Sequence, residues 1–247
     1  MEKNLYDNIQ QVEATHWWYK ARREIIFDWV QRILRVNTNA RVMDIGCGTG
    51  FNVAYLNKLG YKNITGFDFS ADALGYCRAR NLTNLICGNA YHLPLSLASF
   101  DVILTLDILE HMQDDEQTLR EIFRVLKPGG MLVIFVPAYQ FLWSFQDEIS
   151  HHVRRYTANE LSTKVQHAGF DIQKITYANT FMFPAIWAGR LVLKNFRRFF
   201  KITSESQMNP IWMNDFLYAI FRSELILLRH INFPFGVSIL CVCCKPA

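Results

Sequence analysis

The sequence lacks the features that mark several specialised classes of protein. Its N-terminal stretch, MEKNLYDNIQQ, is polar and has no long apolar run, so it predicts no secretory signal. The six cysteines follow neither a disulfide framework nor the paired spacing of zinc knuckles, which favours a reducing, cytoplasmic environment. The net charge of +4 is too small to indicate a nucleic-acid partner. We therefore expect a cytoplasmic protein with a small-molecule ligand.

The sequence is rich in apolar residues. Hydrophobic residues make up 51% of the 247 residues and aromatic residues 14%, which argues against global disorder. A chain of this length can bury a full core. Its size suits one large α/β domain that carries an insertion.

The stretch RVMDIGCGTG, residues 41–50, is the most informative part of the chain. A short apolar run ends there in three glycines spaced two residues apart, Gly46, Gly48 and Gly50. This pattern is typical of a buried parallel strand that enters a tight loop and then a helix. Glycine lets a ligand approach the main chain closely, and the loop N–H groups with the helix N-terminus attract charge. The stretch predicts a cradle for a charged, nucleotide-like ligand.

Strand and helix patterns alternate along most of the chain. This alternation predicts a parallel, doubly wound sheet that binds its ligands at the carboxyl ends of the strands. After the strand that precedes the glycines, the predicted strands are Asn63–Asp68, a short strand with its turn over Leu85–Ala90, Phe100–Leu106, Met131–Val136, Ile172–Tyr177 and Val237–Cys243.

The glycine pattern also discriminates between cofactors. A dinucleotide fingerprint needs its third glycine three residues after the second, where this chain has Phe51. The pattern G-x-G-x-G instead resembles the first motif of the class I S-adenosylmethionine-dependent methyltransferases. Later motifs of that superfamily match in order: Asp68 ends the second strand, Leu106 and Asp107 end the fourth, and Leu-Lys-Pro-Gly-Gly precedes the fifth. The resemblance covers roughly residues 38–177.

The resemblance implies a fold, a cofactor and a set of contacts. The fold would be Rossmann-like, a seven-stranded and mostly parallel sheet whose last strand is antiparallel, and the cofactor would be S-adenosyl-L-methionine. Asp68 would accept both ribose hydroxyls, and Asn89 stands where the superfamily usually has an aspartate facing the adenine amino group. Asp44 either contacts the cofactor or accepts loop N–H bonds as a buried acid. The expected cofactor contacts are Asp44, Gly46, Cys47, Gly48, Gly50, Asp68, Phe69, Asn89, Ala90, Leu106 and Asp107.

Three histidines are the candidates for catalysis. Methyl transfer from a sulfonium is an in-line displacement, in which a general base helps when the acceptor is a hydroxyl. His111 follows the fourth strand, and His151 and His152 lie in the loop after the fifth. The alternatives are a helix-start residue held by local hydrogen bonds for His111, and a structural role for the pair. No clear third ligand set accompanies the pair, so no metal site is expected.

Aromatic and basic residues are the candidates for binding the acceptor. The N-terminal stretch is either a helix that packs its aromatic side chains on the domain or a lid that closes over a ligand. We expect substrate contacts from Trp18, Arg23, Tyr139, Arg155 and Tyr156. The predicted units are an aromatic lid helix (1–36), a cofactor-binding α/β core (37–177), a helical insertion (178–236), and the last strand with the tail (237–247).

The insertion is the best clue to the acceptor. It has no acidic residue from Ala178 to Thr203, and its apolar segments are too short or too interrupted to span a bilayer. The insertion therefore forms either a peripheral contact with the inner face of an anionic membrane or a helical cap or dimer surface. The basic stripe that would make the membrane contact is Arg190, Lys194, Arg197 and Lys201.

The function expected from these patterns is methyl transfer from S-adenosylmethionine. The second half of the chain resembles, more loosely, methyltransferases found near glycan and lipid-linked sugar pathways, which implies a small or lipid-linked acceptor of the glycan or isoprenoid kind. One alternative is a non-catalytic binding module that keeps the fold. The other is a nicotinamide-dependent oxidoreductase, which Phe51 disfavours. Both a monomer and a homodimer are compatible with the sequence.

Overall fold

The computed structural model of the chain describes residues 3–35, 37–196 and 210–247. Within these ranges seven strands form one sheet in the order β3-β2-β1-β4-β5-β7-β6. The neighbours from β3 to β5 are parallel, whereas β7 runs antiparallel to both β5 and β6. The predicted fold class is confirmed. The strands are β1 Arg41–Ile45, β2 Asn63–Asp68, β3 Leu85–Cys87, β4 Phe100–Leu106, β5 Leu126–Pro137, β6 Asp171–Ala178 and β7 Ser238–Cys244.

Helices cover both faces of the sheet. Side chains alternate along β5, so that Val133 and Phe135 join one apolar cluster while Leu132 and Ile134 join the other. Both faces of the central strands are therefore buried, which explains their continuous apolar sequence. The helices are α1 Lys3–Val12, α2 Trp17–Leu34, α3 Phe51–Lys58, α4 Ala71–Ala79, α5 Asp115–Val125, α6 Phe145–Ile149, α7 Ala158–His167, α8 Phe183–Phe196 and α9 Ile211–Leu228.

One strand boundary differs from the prediction by more than two residues. β5 begins at Leu126 and not at Met131, because Leu126 already pairs with Phe100 ahead of a register shift. β3 ends at Cys87, and in the turn that follows it the side-chain oxygen of Asn89 accepts the N–H of Tyr91. The pattern of apolar residues does not reveal the early start of β5, since it depends on backbone hydrogen bonds.

Helix α2 and helix α9 of the insertion pack against each other. The N–H of Trp17 donates to Asn214 Oδ1 at 2.7 Å, and the Trp17 ring meets the buried Phe221 edge-on at 6.2 Å. The Tyr218 hydroxyl donates to Glu24 at 2.6 Å. Thus α2 is packed between the sheet and α9, and two segments far apart in the sequence form one layer.

The basic stripe of the insertion is only partly described. Arg190 lies on α8 and its guanidinium donates to the Leu142 carbonyl. Arg197, Lys201 and the side chain of Lys194 lie outside the described residues. In the ranges that the structure covers, every helix is too short or too polar to cross a lipid bilayer.

Candidate active site

The glycine loop after β1 has the conformation that its sequence predicts. Gly46, Gly48 and Gly50 have φ angles of 70°, 54° and 77°. These angles lie in the left-handed region, which glycine enters without strain. A Cβ added at Gly46 would lie 1.8 Å from Ile108, whereas one added at Gly48 would meet nothing within 4 Å. A side chain at Gly46 would therefore have to displace Ile108, whereas Gly48 leaves open space beside the main chain.

Asp68 connects the end of β2 to this loop. One carboxylate oxygen accepts the N–H of Gly48 at 2.9 Å and the other accepts that of Ser70 at 2.8 Å. Burial raises the pKa of Asp68, while these backbone N–H groups oppose the rise. Each oxygen keeps a further lone pair for a ligand hydroxyl. The ring of Phe69 follows directly and is 78% exposed. A carboxylate beside an open aromatic ring fits a ribose and its flat base.

Three other residues expected to contact the cofactor differ in their exposure and in their hydrogen bonds. The Asn89 side-chain oxygen already accepts the Tyr91 N–H at 2.9 Å, so its amide N–H groups remain available to a ligand. Ala90 is buried. Cys47 is also buried, with its sulfur 3.8 Å from that of Cys77, and its backbone N–H donates to the Phe67 carbonyl at 3.0 Å.

The connection between α1 and α2 is fastened to the glycine loop. Glu13 accepts a hydrogen bond from the Thr49 hydroxyl at 2.5 Å and forms an ion pair with Arg80. Arg23 donates to the Glu13 carbonyl at 2.5 Å and lies 3.9 Å from the centre of the Phe51 ring. Arg23, which we expected to contact the acceptor, is therefore buried in an anchor of the N-terminal segment.

Helix α1 lies over the donor side of the sheet. Its Tyr6 is buried, and its hydroxyl is close enough to Ser70 for a side-chain hydrogen bond. Desolvation, followed by the nearby charge of Asp68, raises the pKa of Tyr6 to about 12. A tyrosine from the first helix thus lies close to the Asp68 carboxylate, a contact that no motif in residues 1–36 indicates.

At the end of β4, Asp107 forms an ion pair with Arg22. The two side chains are 2.5 Å apart, and the Arg22 guanidinium lies 5.0 Å from the centre of the Trp18 ring. Burial raises the pKa of Asp107, and the charge of Arg22 opposes that rise. Burial likewise raises the pKa of Asp44 to about 7, again opposed by Arg22. Arg22 was not among the predicted site residues. Adjacent side chains on a helix point in directions about 100° apart, so the Arg22–Arg23 pair was a signal that one of the two could face the site.

The structure brings two of the three candidate histidines together. The His111 and His152 rings meet edge-on with centroids 4.6 Å apart, and Glu110 is fully buried beside them. His152 Nε2 is 3.9 Å from a Glu110 oxygen, and its Nδ1 is 2.8 Å from Asp147. Burial lowers the pKa of His111 to about 4, so this ring is neutral at pH 7. His151 is exposed and stands outside the cluster, with a φ of 57°.

Arg155 and Tyr156 are engaged within the protein. Arg155 contacts both Asp147 oxygens, at 2.8 and 2.9 Å, and donates to the Ala138 carbonyl. The Tyr156 hydroxyl donates to Asp115 at 2.7 Å. Both side chains are buried, so they hold the loop between β5 and α7 in place, whereas we expected them to contact the acceptor.

Tyr139 lies in an aromatic patch at the ends of β5 and β6. Its ring is stacked on Phe141 at 4.9 Å and on Tyr177 at 5.0 Å. Phe183 meets the Tyr139 ring edge-on, and Phe235 lies 5.4 Å from Phe183. Phe141 is 61% exposed, so the patch is open to solvent. We refer to these five residues as the aromatic patch. The sequence predicted only its central member.

Unusual backbone angles mark the same edge of the sheet. Asp107, Tyr139 and Asn179 have φ angles of 59°, 56° and 58°, and they follow the ends of β4, β5 and β6. Non-glycine residues in this region are strained, and such strain concentrates at functional sites. Three groups therefore lie along one carboxyl edge, as expected for an open α/β sheet. They are the glycine loop with Asp68, which we call the donor cradle, the histidine cluster of Glu110, His111 and His152, and the aromatic patch.

The sheet order and the glycine cradle define a Rossmann-like fold with a nucleoside site. Residues 43–134 match the family model described as a methyltransferase domain. These residues are a methyltransferase domain of the class I S-adenosylmethionine-dependent superfamily, whose cofactor is S-adenosyl-L-methionine.

Individual relatives agree with this assignment. The chain is 29% identical over 161 residues to a probable S-adenosylmethionine-dependent methyltransferase of Mycolicibacterium smegmatis, a match that covers 64% of this chain and 61% of that protein. It is 35% identical over 135 residues to a demethylmenaquinone methyltransferase of Listeria welshimeri, covering 51% of this chain and 55% of that protein. These matches thus span about 60% of the length of the curated relatives or less.

A solved structure shares the fold. It is phosphoethanolamine N-methyltransferase 2 of Haemonchus contortus, in complex with phosphomonomethylethanolamine and S-adenosylhomocysteine. The TM-score is 0.64 at 18% identity, over 100% of this chain and 59% of that one. At this identity the likeness concerns the fold alone.

Proposed function

We propose that this protein transfers a methyl group from S-adenosylmethionine to a small acceptor. The observation that carries the proposal is the donor cradle, in which Gly48 leaves open space next to the paired carboxylate of Asp68 and the exposed ring of Phe69. When bound, the cofactor supplies an electrophilic methyl group on a sulfonium. The protein's part is to orient the two reactants and exclude water.

Arg22 and Asp107 suit the amino-acid end of the donor. They form a pair 2.5 Å apart at the end of β4, adjacent in the sheet to the strand that leads into the glycine loop. Together they offer one positive and one negative group. A zwitterion that carries a carboxylate and an ammonium group can pair with both, so the charges stay balanced when it binds.

The acceptor site in this proposal lies over the ends of β4, β5 and β6. The aromatic patch supplies a partly exposed apolar surface there, and the histidine cluster supplies the polar groups. Such a surface favours an acceptor with an apolar ring or chain over a phosphorylated or highly charged one. The Listeria relative, a demethylmenaquinone methyltransferase, supports the same direction.

We also propose that the insertion brings the acceptor site to an anionic membrane surface. On α8 and α9, Trp187, Trp212 and Phe216 are 45%, 70% and 61% exposed. The intervening sequence is basic and has no acid between residues 178 and 203. Aromatic rings next to basic side chains are typical of helices that lie on a lipid surface. In this proposal, the N-terminal segment covers the donor and the insertion faces the lipid.

Calorimetric titration of the full chain with S-adenosylmethionine, S-adenosylhomocysteine and NADH tests the donor site. We expect both sulfur ligands to bind and NADH not to bind. Asp68→Ala should weaken donor binding at least about tenfold, because hydrogen bonds to a charged acceptor contribute about 1.5–3 kcal/mol each. Asp72→Ala, an exposed acid four residues further on, is the matched control and should bind normally. Tight NADH binding with no response to the methyl donor would refute the proposal.

Vesicle co-sedimentation tests the membrane contact. We expect the wild type to sediment with anionic vesicles and less with neutral ones. The double variant Trp212→Ser, Phe216→Ser should lose most of this binding while keeping donor affinity. Equal sedimentation of variant and wild type would show that these aromatic side chains form an ordinary surface.

A further inference from the structure

Glu110 is a buried carboxyl group near the site that has no direct partner. The side chain is fully buried, and neither of its oxygens has a hydrogen-bond partner among the described residues. Burying an ionised carboxylate without a partner costs several kcal/mol, so such a group either keeps its proton or is paired with a cation. The two nearby ion pairs, Arg22–Asp107 and Arg155–Asp147, already match their charges one to one. Glu110 is therefore ionised only where a further positive partner is bound.

The two histidine rings next to Glu110 are oriented towards it. One ligand atom from each of Glu110, His111 and His152 lies within 4.8 Å of the other two, and His152 Nε2 is 3.9 Å from a Glu110 oxygen. These separations leave space for an ion between the three side chains, and small rotations would bring the atoms to metal–ligand distances of about 2.0–2.2 Å.

Both histidine rings also have a partner other than Glu110. Nδ1 of His152 is 2.8 Å from Asp147, whose carboxylate is fixed in turn by Arg155. The ring of His111 interacts with the backbone of His151. A histidine that binds a metal through one nitrogen usually bonds a carboxylate or a backbone carbonyl through the other. The cluster thus has the outer contacts of a metal site as well as the ligands.

We propose that Glu110, His111 and His152 bind a divalent transition-metal ion of the zinc class. Two imidazole nitrogens and one carboxylate oxygen are donors that suit zinc, iron and nickel ions and do not suit magnesium or calcium. Three protein ligands leave at least one coordination position, which an acceptor oxygen or a water molecule can fill. The two ligands that join His152, Glu110 and His111, come from the segment after β4. The proposal concerns metal binding and holds whether or not methyl transfer is the reaction.

Zinc titration of the chelator-treated full chain tests this site. With a competing chromophoric chelator, we expect the wild type to bind one equivalent of Zn²⁺. Glu110→Gln and His152→Asn should each weaken binding at least tenfold. His151→Asn is the matched control, because it removes the adjacent histidine outside the cluster and asparagine tolerates the left-handed backbone there. Its zinc affinity should equal that of the wild type.

Cobalt(II) provides a second measurement. We expect the wild type to give a visible absorption spectrum with nitrogen ligation, and His111→Asn to lose it. Binding of S-adenosylhomocysteine, measured on the same samples, shows that each variant is folded and keeps the metal result separate from the donor result. Failure of the wild type to bind zinc or cobalt would overturn the proposal, and so would binding that survives both Glu110→Gln and His152→Asn.

Discussion

The donor side and the acceptor side of this molecule are built in different ways. The donor cradle comes from two neighbouring strands and one loop, residues 41–70, and backbone groups make most of it. The acceptor side is built from side chains of separate segments: the turn after β4, the loop between β5 and α7, and the end of β6. Backbone geometry leaves a recognisable pattern in a sequence, whereas a cluster of distant side chains does not.

The central carboxylates of the two sides differ in their partners. Asp68 of the donor cradle accepts backbone N–H groups, while Asp147 of the acceptor side is paired with the buried Arg155. A buried ion pair is sensitive to the loss of either member, because the remaining charge stays in a medium of low dielectric constant. We therefore expect loss of Arg155 to act through charge, and substitutions of the loop glycines to act through shape.

The largest effect is expected for Arg155→Met. This change leaves Asp147 buried and without its main cation, so the free energy of unfolding should fall by about 3–5 kcal/mol. Arg120→Met is the matched control, since Arg120 is half exposed and its ion pair with Glu116 is 3.8 Å long, and it should cost less than about 1 kcal/mol. Chemical denaturation measures both. Similar losses for the two variants would contradict the expected difference.

On the donor side, substitutions of two glycines distinguish an effect on stability from an effect on donor binding. Gly46→Ala places a Cβ against Ile108 in a left-handed conformation, so we expect a loss of stability of about 2–4 kcal/mol. Gly48→Ala has the same strain but no clash, so it should lose only about 1 kcal/mol. Its Cβ enters the open space, however, and should abolish most donor binding. Thermal unfolding and calorimetry distinguish the two, and normal donor affinity in Gly48→Ala would contradict the cradle.

A smaller effect should appear in the pH dependence of stability. Burial raises the pKa of Glu224 from 4.5 to about 7, while backbone N–H groups of the segment after β6 oppose the rise. Between these values the unfolded chain has released the proton and the folded chain keeps it. The contribution of Glu224 to stability should therefore be greatest below pH 4.5, fall as the pH rises through this interval, and level off above about 7.

Replacement of Glu224 isolates its share of this pH dependence. Glu224→Gln should remove about 2–3 kcal/mol of the decline. Asp44, whose pKa burial also raises to about 7, should retain its own share. Denaturation curves from pH 4 to 8 measure the difference between the variant and the wild type. A decline of equal size in both would show that Glu224 does not contribute.

Much of the fold followed from local patterns. The apolar runs located all seven strands, because a strand buried on both faces needs a continuous apolar sequence. Their ends were less accurate: β5 starts five residues earlier than predicted, since backbone pairing with β4 decides that position. The order of the motifs indicated the superfamily and its cofactor, which the family match confirmed.

The acceptor side was predicted less well, for a physical reason. Arg23, Arg155 and Tyr156 were expected to contact the acceptor, but the structure places them in internal ion pairs and hydrogen bonds. Arg22 and Glu110 were missed. Which of two adjacent arginines faces a site depends on how α2 is rotated against the sheet, and this rotation is set by packing against α9 and the core.

The sequence by itself determined the donor cradle, because left-handed glycines and a strand-end aspartate are requirements of the backbone within residues 41–70. Only the tertiary structure decided the contents of the acceptor side. His111 and His152 meet beside Glu110 because Arg155 and Tyr156 fix the intervening loop against β4 and α5. That loop position arises from long-range contacts between buried charges, and no periodicity or spacing along the chain encodes it.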